Sequence, residues 1–165
     1  ILKSFAQFVK QYPDARLELI GDGELRRKME QLATELCIDK EVQFAGLQSN
    51  VYPWLYDADV FILPSKFEGL PMTLIEAMGT GLPIIASAVG GVPDMLTNGD
   101  AAILIRPERN QLVASLEKLY LDESVRRTLG QRALQRSIVF SSQTMAQRYV
   151  KIYEKACDYS SGNSL

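Results

Sequence analysis

Apolar residues recur along the chain at two alternating periods. The opening Leu2-Lys3-Ser4-Phe5-Ala6-Gln7-Phe8-Val9 repeats at helical spacing and stops at Tyr12-Pro13-Asp14, where proline disfavours helix in the residue before it. Arg16-Leu17-Glu18-Leu19-Ile20 then predicts a strand closed by Gly21-Asp22-Gly23. Between Glu24 and Cys37, Leu25, Met29, Leu32, Ala33 and Leu36 share one helix face, with charged residues on the other. A short strand at Val42-Gln43-Phe44, a turn at Ala45-Gly46 and a helical stretch near Val51–Tyr56 follow. Val60-Phe61-Ile62-Leu63 and Ile84-Ile85-Ala86 are unbroken apolar runs, the pattern of parallel strands covered on both faces. A helix is expected from Pro71 between these strands, and a turn of helix at Val92–Leu96 after them. A strand at Ala102–Ile105 and helices over Arg109–Leu121, Glu123–Ile138 and Gln143–Ala156 complete the series. Strand and helix alternating with short turns predict an α/β domain with a doubly wound, Rossmann-like parallel sheet.

At 165 residues and 47% hydrophobic content the chain suits one domain. We place that domain at residues 1–157 and expect a disordered, Ser/Gly/Asn-rich tail over 158–165. Because Ile1 opens inside a helical pattern, the chain is expected to be a piece of a longer protein. Lys and Arg total 18 against 20 acidic residues, which leaves no global basic field for nucleic acid. Cys37 and Cys157 stand far apart, outside any CxxC or Cys/His cluster, and are expected as reduced, half-buried thiols in a cytoplasmic protein. No metal site is expected. No apolar run reaches the ~18 to 20 residues of a membrane span.

Ligands of doubly wound sheets bind beyond the carboxyl ends of the strands, which directs attention to the loops there. The loop Pro64-Ser65-Lys66-Phe67-Glu68-Gly69-Leu70-Pro71 ends with proline where the helix should begin. The unpaired amides of Met72, Thr73 and Leu74 would then face an anion, with the helix dipole behind them. Gly69 lets a ligand approach the backbone and Thr73 adds a hydroxyl. Glu76, about one turn on, suits a vicinal diol rather than a phosphate. A first-turn glutamate can also serve only the helix dipole, and Gly-Leu-Pro is a common helix entry.

The run Glu68-Gly69-Leu70-Pro71, Glu76-Ala77-Met78, Gly81-Leu82-Pro83-Ile84-Ile85-Ala86-Ser87 and Gly90-Gly91-Val92-Pro93 resembles the family-4 retaining glycosyltransferases. Glu68 and Glu76 reproduce that family's pair of glutamates separated by seven residues. The resemblance covers nearly the whole chain and implies the C-terminal, donor-binding domain of a GT-B enzyme. It implies that Glu76 binds the donor ribose and that amides around Thr73 and Leu74 hold the diphosphate. It further implies that Glu68, the catalytic candidate, contacts the transferred sugar together with the amides of Gly69 and Leu70. Ala45 and Leu47 flank the turn where the family reads the base, and Gly23 lines the crevice more distantly. The donor would be a UDP- or GDP-sugar, the transferred group a hexose, and the acceptor lipid- or glycan-linked.

The chain departs from the pattern in places. The family's strand with its diphosphate-neutralising Arg and Lys, which would precede the first helix, and the N-terminal acceptor-binding domain are expected to lie outside these residues. Asp94 stands where the family favours Glu, and Ala102 where it favours Gly. The chain contains no His, and no carboxylate pair for a double displacement is evident. The resemblance implies instead that the leaving phosphate assists attack from the same face. The chain alone is therefore expected to bind donor and catalyse nothing. A GT-B epimerase, a glycogen-synthase-like enzyme and a non-catalytic lobe of a glycosyltransferase complex are the alternatives. Arg126, Arg127, Arg132, Arg136, Arg148 and Lys151 could form a face toward an anionic membrane surface, although Asp122, Glu123 and Glu154 interrupt it.

Overall fold

The alternation of periods becomes an alternation of elements in the computed structural model, which describes residues 1–106 and 109–162. Helix α1 (Leu2–Val9) leads to β1 (Leu17–Ile20), α2 (Arg26–Glu35), β2 (Val42–Gly46) and α3 (Tyr52–Asp57). Next come β3 (Phe61–Leu63), α4 (Met72–Thr80), β4 (Ile84–Ser87), α5 (Val92–Met95) and β5 (Ile103–Ile105). The chain closes with α6 (Arg109–Leu121), α7 (Glu123–Ser137) and α8 (Ser142–Gly162). Helix α8 continues beyond Asp158, where a disordered tail was expected. Extending an existing helix costs far less than nucleating one, so tail composition is a weak stop signal. Residues 163–165 of that expected tail lie outside the described residues.

All the strand pairings between named strands are parallel, as the apolar runs predicted. They form two sheets rather than one, β1-β2 and β3-β4-β5. Both sheets nevertheless enter one core. Leu17 of β1 and Val42 of β2 pack in the same cluster as Ile85 of β4, Ile105 of β5, Phe5 and Phe8 of α1, and Leu112 and Leu119 of α6. Successive residues of a strand point to opposite faces. Ile84 and Ala86 accordingly enter a second cluster with Leu74 and Met78 of α4, Val92 and Met95 of α5, and Ala133 of α7. Every residue of β4 is fully buried, so this sheet carries helices on both faces, the doubly wound arrangement.

Contacts between α4 and α7 depend on two glycines. Gly81 ends α4 in the left-handed region (φ 77°), and a Cβ on Gly130 would lie 2.1 Å from the Gly81 carbonyl oxygen. Only a bare backbone at position 130 admits this approach. Helix α7 is started by Asp122, whose carboxylate accepts from the Val125 N–H at 3.0 Å.

The cations on the closing helices are mostly committed within the chain. Arg126 donates to the Leu119 and Tyr120 carbonyls, Arg127 pairs with Glu123, and Arg132 pairs with Asp100. Arg136 donates to the carbonyls of Asp94 and Met95. On α7 acidic side chains offset the charges of Arg127 and Arg132, whereas the carbonyls that accept from Arg126 and Arg136 orient those guanidinium groups without neutralising them. Cys37 and Cys157 form no disulfide, and both are exposed rather than half-buried. No described helix is long and apolar enough to cross a membrane.

Candidate functional site

Strand β3 delivers the chain into the loop that was singled out in the sequence. Pro71 sits at φ −67° and ψ 117°, an extended conformation, so it caps α4 from outside instead of opening its first turn. The first helical residue is Met72. The N–H of Leu74 donates to the Pro71 carbonyl at 3.2 Å, which corrects the expected donor set. Of the expected amides Met72, Thr73 and Leu74, only Met72 and Thr73 are without an acceptor among the described residues. The Leu74 side chain is fully buried and anchors the helix in its core. The amides of Gly69 and Leu70 are likewise unpaired among the described residues. Four N–H groups without an acceptor among the described residues thus lie within five consecutive positions of one loop and helix start, the kind of segment that binds anions.

Glu76 lies on α4 one turn past these amides. It is half-buried and its carboxylate has no recorded partner among the described residues. Glu68 is also half-buried, and it accepts a hydrogen bond from the Ser65 hydroxyl at 2.6 Å. The loop is pressed against the turn that follows β4. A Cβ on Gly90 would lie 1.7 Å from the Glu68 carbonyl oxygen, and one on Gly91 would lie 2.5 Å from that of Gly69. The Gly90-Gly91 pair thus seats the backbone of Glu68-Gly69, a contact that strand order alone could not reveal.

The weaker candidates form a second group at the ends of β1 and β2. The Gly21 N–H donates to the Gly46 carbonyl at 2.8 Å, bringing Gly21-Gly23 and Ala45-Leu47 side by side. Gly23 donates its N–H to the Asp22 carboxylate at 2.7 Å, and the Ala45 carbonyl accepts from the Gln48 side chain at 2.7 Å. Leu47 is 83% exposed and its peptide groups have no recorded partner. Arg26, which the sequence had not marked, ties this group together. Its guanidinium donates to Glu30 at 2.9 Å, to the Phe44 carbonyl at 3.1 Å and to Asp22 at 3.4 Å. The hydrogen bond to Glu30 leads the interactions that raise its pKa above the ordinary arginine value, with the Asp22 and Glu30 charges adding to it. Spacing alone would have found Asp22 and Glu30, each one helical turn from Arg26, but not Phe44.

The geometry therefore holds a nest of backbone donors, two half-buried carboxylates and a turn with free peptide groups. No group of three or more His, Cys, Asp or Glu side chains comes together as a metal cage among the described residues. Residues 1–136 match the family model of glycosyl transferases group 1. The chain belongs to that family. Among its relatives are the N-acetyl-alpha-D-glucosaminyl L-malate synthase of Bacillus anthracis, 34% identical over 93% of this chain and 40% of its own length. Another is the MMP alpha-(1->4)-mannosyltransferase of Mycolicibacterium hassiacum, 34% identical over 87% of this chain and 36% of its own. The sucrose-phosphate synthase of Thermosynechococcus elongatus superposes with a TM-score of 0.81 at 27% identity, over 96% of this chain and 42% of that one. HepE of Anabaena, solved in complex with UDP, shares the fold with a TM-score of 0.85 over 93% of this chain and 44% of its own. The family-4 chain thus corresponds to the C-terminal, Rossmann-like half of the GT-B fold and spans about two fifths of the length of such relatives.

Proposed function

We propose that this family-4 domain holds the donor nucleotide sugar of a retaining hexosyl transfer, with the diphosphate on the amides at the start of α4. The observation that carries this reading is the run of unpaired N–H groups at Gly69, Leu70, Met72 and Thr73, flanked along the chain by the half-buried carboxylates of Glu68 and Glu76. Such donors, backed by the dipole of α4, bind phosphate oxygens without a lysine or arginine. Glu76 accepts from the ribose diol, and Glu68 accepts from hydroxyls of the transferred sugar. The Leu47 peptide reads the edge of the base, and Gly23 borders the crevice. Support for a uridine donor comes from HepE, solved with UDP-glucose, which shares this fold.

In the transfer itself these groups hold charge and position. The amides stabilise the negative charge that grows on the departing diphosphate, and Glu68 fixes the sugar for attack from the face it leaves. The acceptor is held by a second lobe and the remaining cations by the strand expected before α1, so the chain alone binds donor without turnover. Its placement at a membrane surface rests on what that lobe and the acceptor supply.

Calorimetric titration of the chain with UDP, GDP and ADP tests the site. One nucleotide should bind, and E76A should weaken it by roughly 10- to 100-fold, the worth of hydrogen bonds to a charged group. The variant should also lose discrimination against the 2′-deoxy form of that nucleotide. Binding of no nucleotide, or equal binding and discrimination in E76A, would overturn the assignment.

A further inference from the structure

Glu68 has three rotatable side-chain bonds and sits on a loop, an unpromising place for a group that must meet one sugar hydroxyl. Two devices remove its freedom. The Gly90-Gly91 turn fixes its backbone by direct contact with the Glu68 and Gly69 carbonyls. The Ser65 hydroxyl donates its single proton to Glu68 Oε1 at 2.6 Å, a short charge-assisted bond. Oε2 is left without a partner among the described residues. The backbone is held by one contact and the carboxylate by another.

We propose that Ser65 is a positioning residue for sugar recognition: it clamps Oε1 of Glu68 so that Oε2 stands ready to accept from a hydroxyl of the transferred sugar. The proposal rests on the reading that Glu68 contacts that sugar. Ser65 touches neither nucleotide nor sugar. Its contribution is the conformational entropy that Glu68 no longer loses when the sugar arrives. Ser65 and Glu68 stand in the S-x-x-E spacing of a helix capping box, but here the two side chains bond each other instead of backbone amides. A capping role would govern the loop as a whole, whereas a positioning role acts on the sugar alone.

The two roles separate by titrating the chain with UDP and UDP-glucose, GDP and GDP-mannose, and ADP and ADP-glucose, and using the pair that the unmodified protein binds. S65A should keep the affinity for the free nucleotide within about twofold and weaken the sugar conjugate relative to it by roughly 3- to 10-fold, the cost of ordering one long side chain. S65T, which restores the hydroxyl, should recover the original ratio. E68A should shift the ratio at least as far, and S65A added to E68A should shift it no further. An unchanged ratio in S65A beside a changed one in E68A overturns the role of Ser65 and leaves the sugar contact of Glu68 intact. Equal loss of nucleotide and conjugate in S65A, unrestored by S65T, overturns it in favour of a loop-capping role. An unchanged ratio in E68A, or no binding of any pair by the unmodified chain, overturns the underlying site reading as well.

Discussion

Replacing Gly90 by alanine tests whether the Glu68 loop owes its place to the turn after β4. Gly90 has φ +53°, where an L-residue costs roughly 1–2 kcal/mol. The new Cβ would stand 1.7 Å from the Glu68 carbonyl oxygen, so the two backbones must part by roughly 1.3 Å to reach even a 3.0 Å contact. Bond-angle flexing cannot absorb this, since a 15° distortion alone costs ~4 kcal/mol. The loop must therefore move, which carries the Glu68 and Gly69 groups away and adds about 1–3 kcal/mol of overpacking strain. The expected result is a lower midpoint in urea unfolding, by ~1–2.5 M for a total near 2–5 kcal/mol at an m-value of about 2 kcal/mol/M, together with donor binding weakened at least about tenfold. Gly79→Ala is the matched control. A Cβ there meets nothing within 4 Å on an exposed helical position, so it should raise stability by about 0.5–1 kcal/mol and leave binding alone. A Gly90→Ala protein with an unchanged midpoint and unchanged donor affinity would refute the clasp.

Gly130→Ala should separate α4 from α7, because its Cβ would meet the Gly81 carbonyl at 2.1 Å; a loss of about 1–3 kcal/mol is expected in denaturant unfolding, with the midpoint of the parent as reference. Tyr120 donates to the Asp14 carboxylate at 3.0 and 3.1 Å, and that hydrogen bond, followed by burial, raises its pKa. A raised folded-state pKa means stability that is whole below the unfolded value of about 10 and lost as pH rises through the folded one. The thermal stability advantage of the parent over Y120F should therefore be present at pH 8 and shrink by pH 11; an advantage that grew with pH would contradict the assignment.

Local pattern determined the elements closely. Helical periods, short β-rich segments and, at β3 and β4, unbroken apolar runs between turn residues placed β1 to β5 and α1 to α8 within a few residues, because each is a local pattern of the chain. The donor nest was legible for the same reason: proline and glycine before a helix leave amides unpaired whatever surrounds them. Its membership was not, since Leu74 gives its N–H to Pro71 once the cap takes its extended conformation. The pairing of strands into two sheets, the seat of Glu68 against Gly90, the clasp of Gly81 and Gly130, and the reach of Arg26 to Phe44 join residues far apart in sequence. Such contacts follow from how layers pack, and no local repeat encodes them. The cations of α7 make the same point, because their charge was plain in the sequence but the carbonyls of Asp94, Met95 and Leu119 that engage them were placed only by the fold.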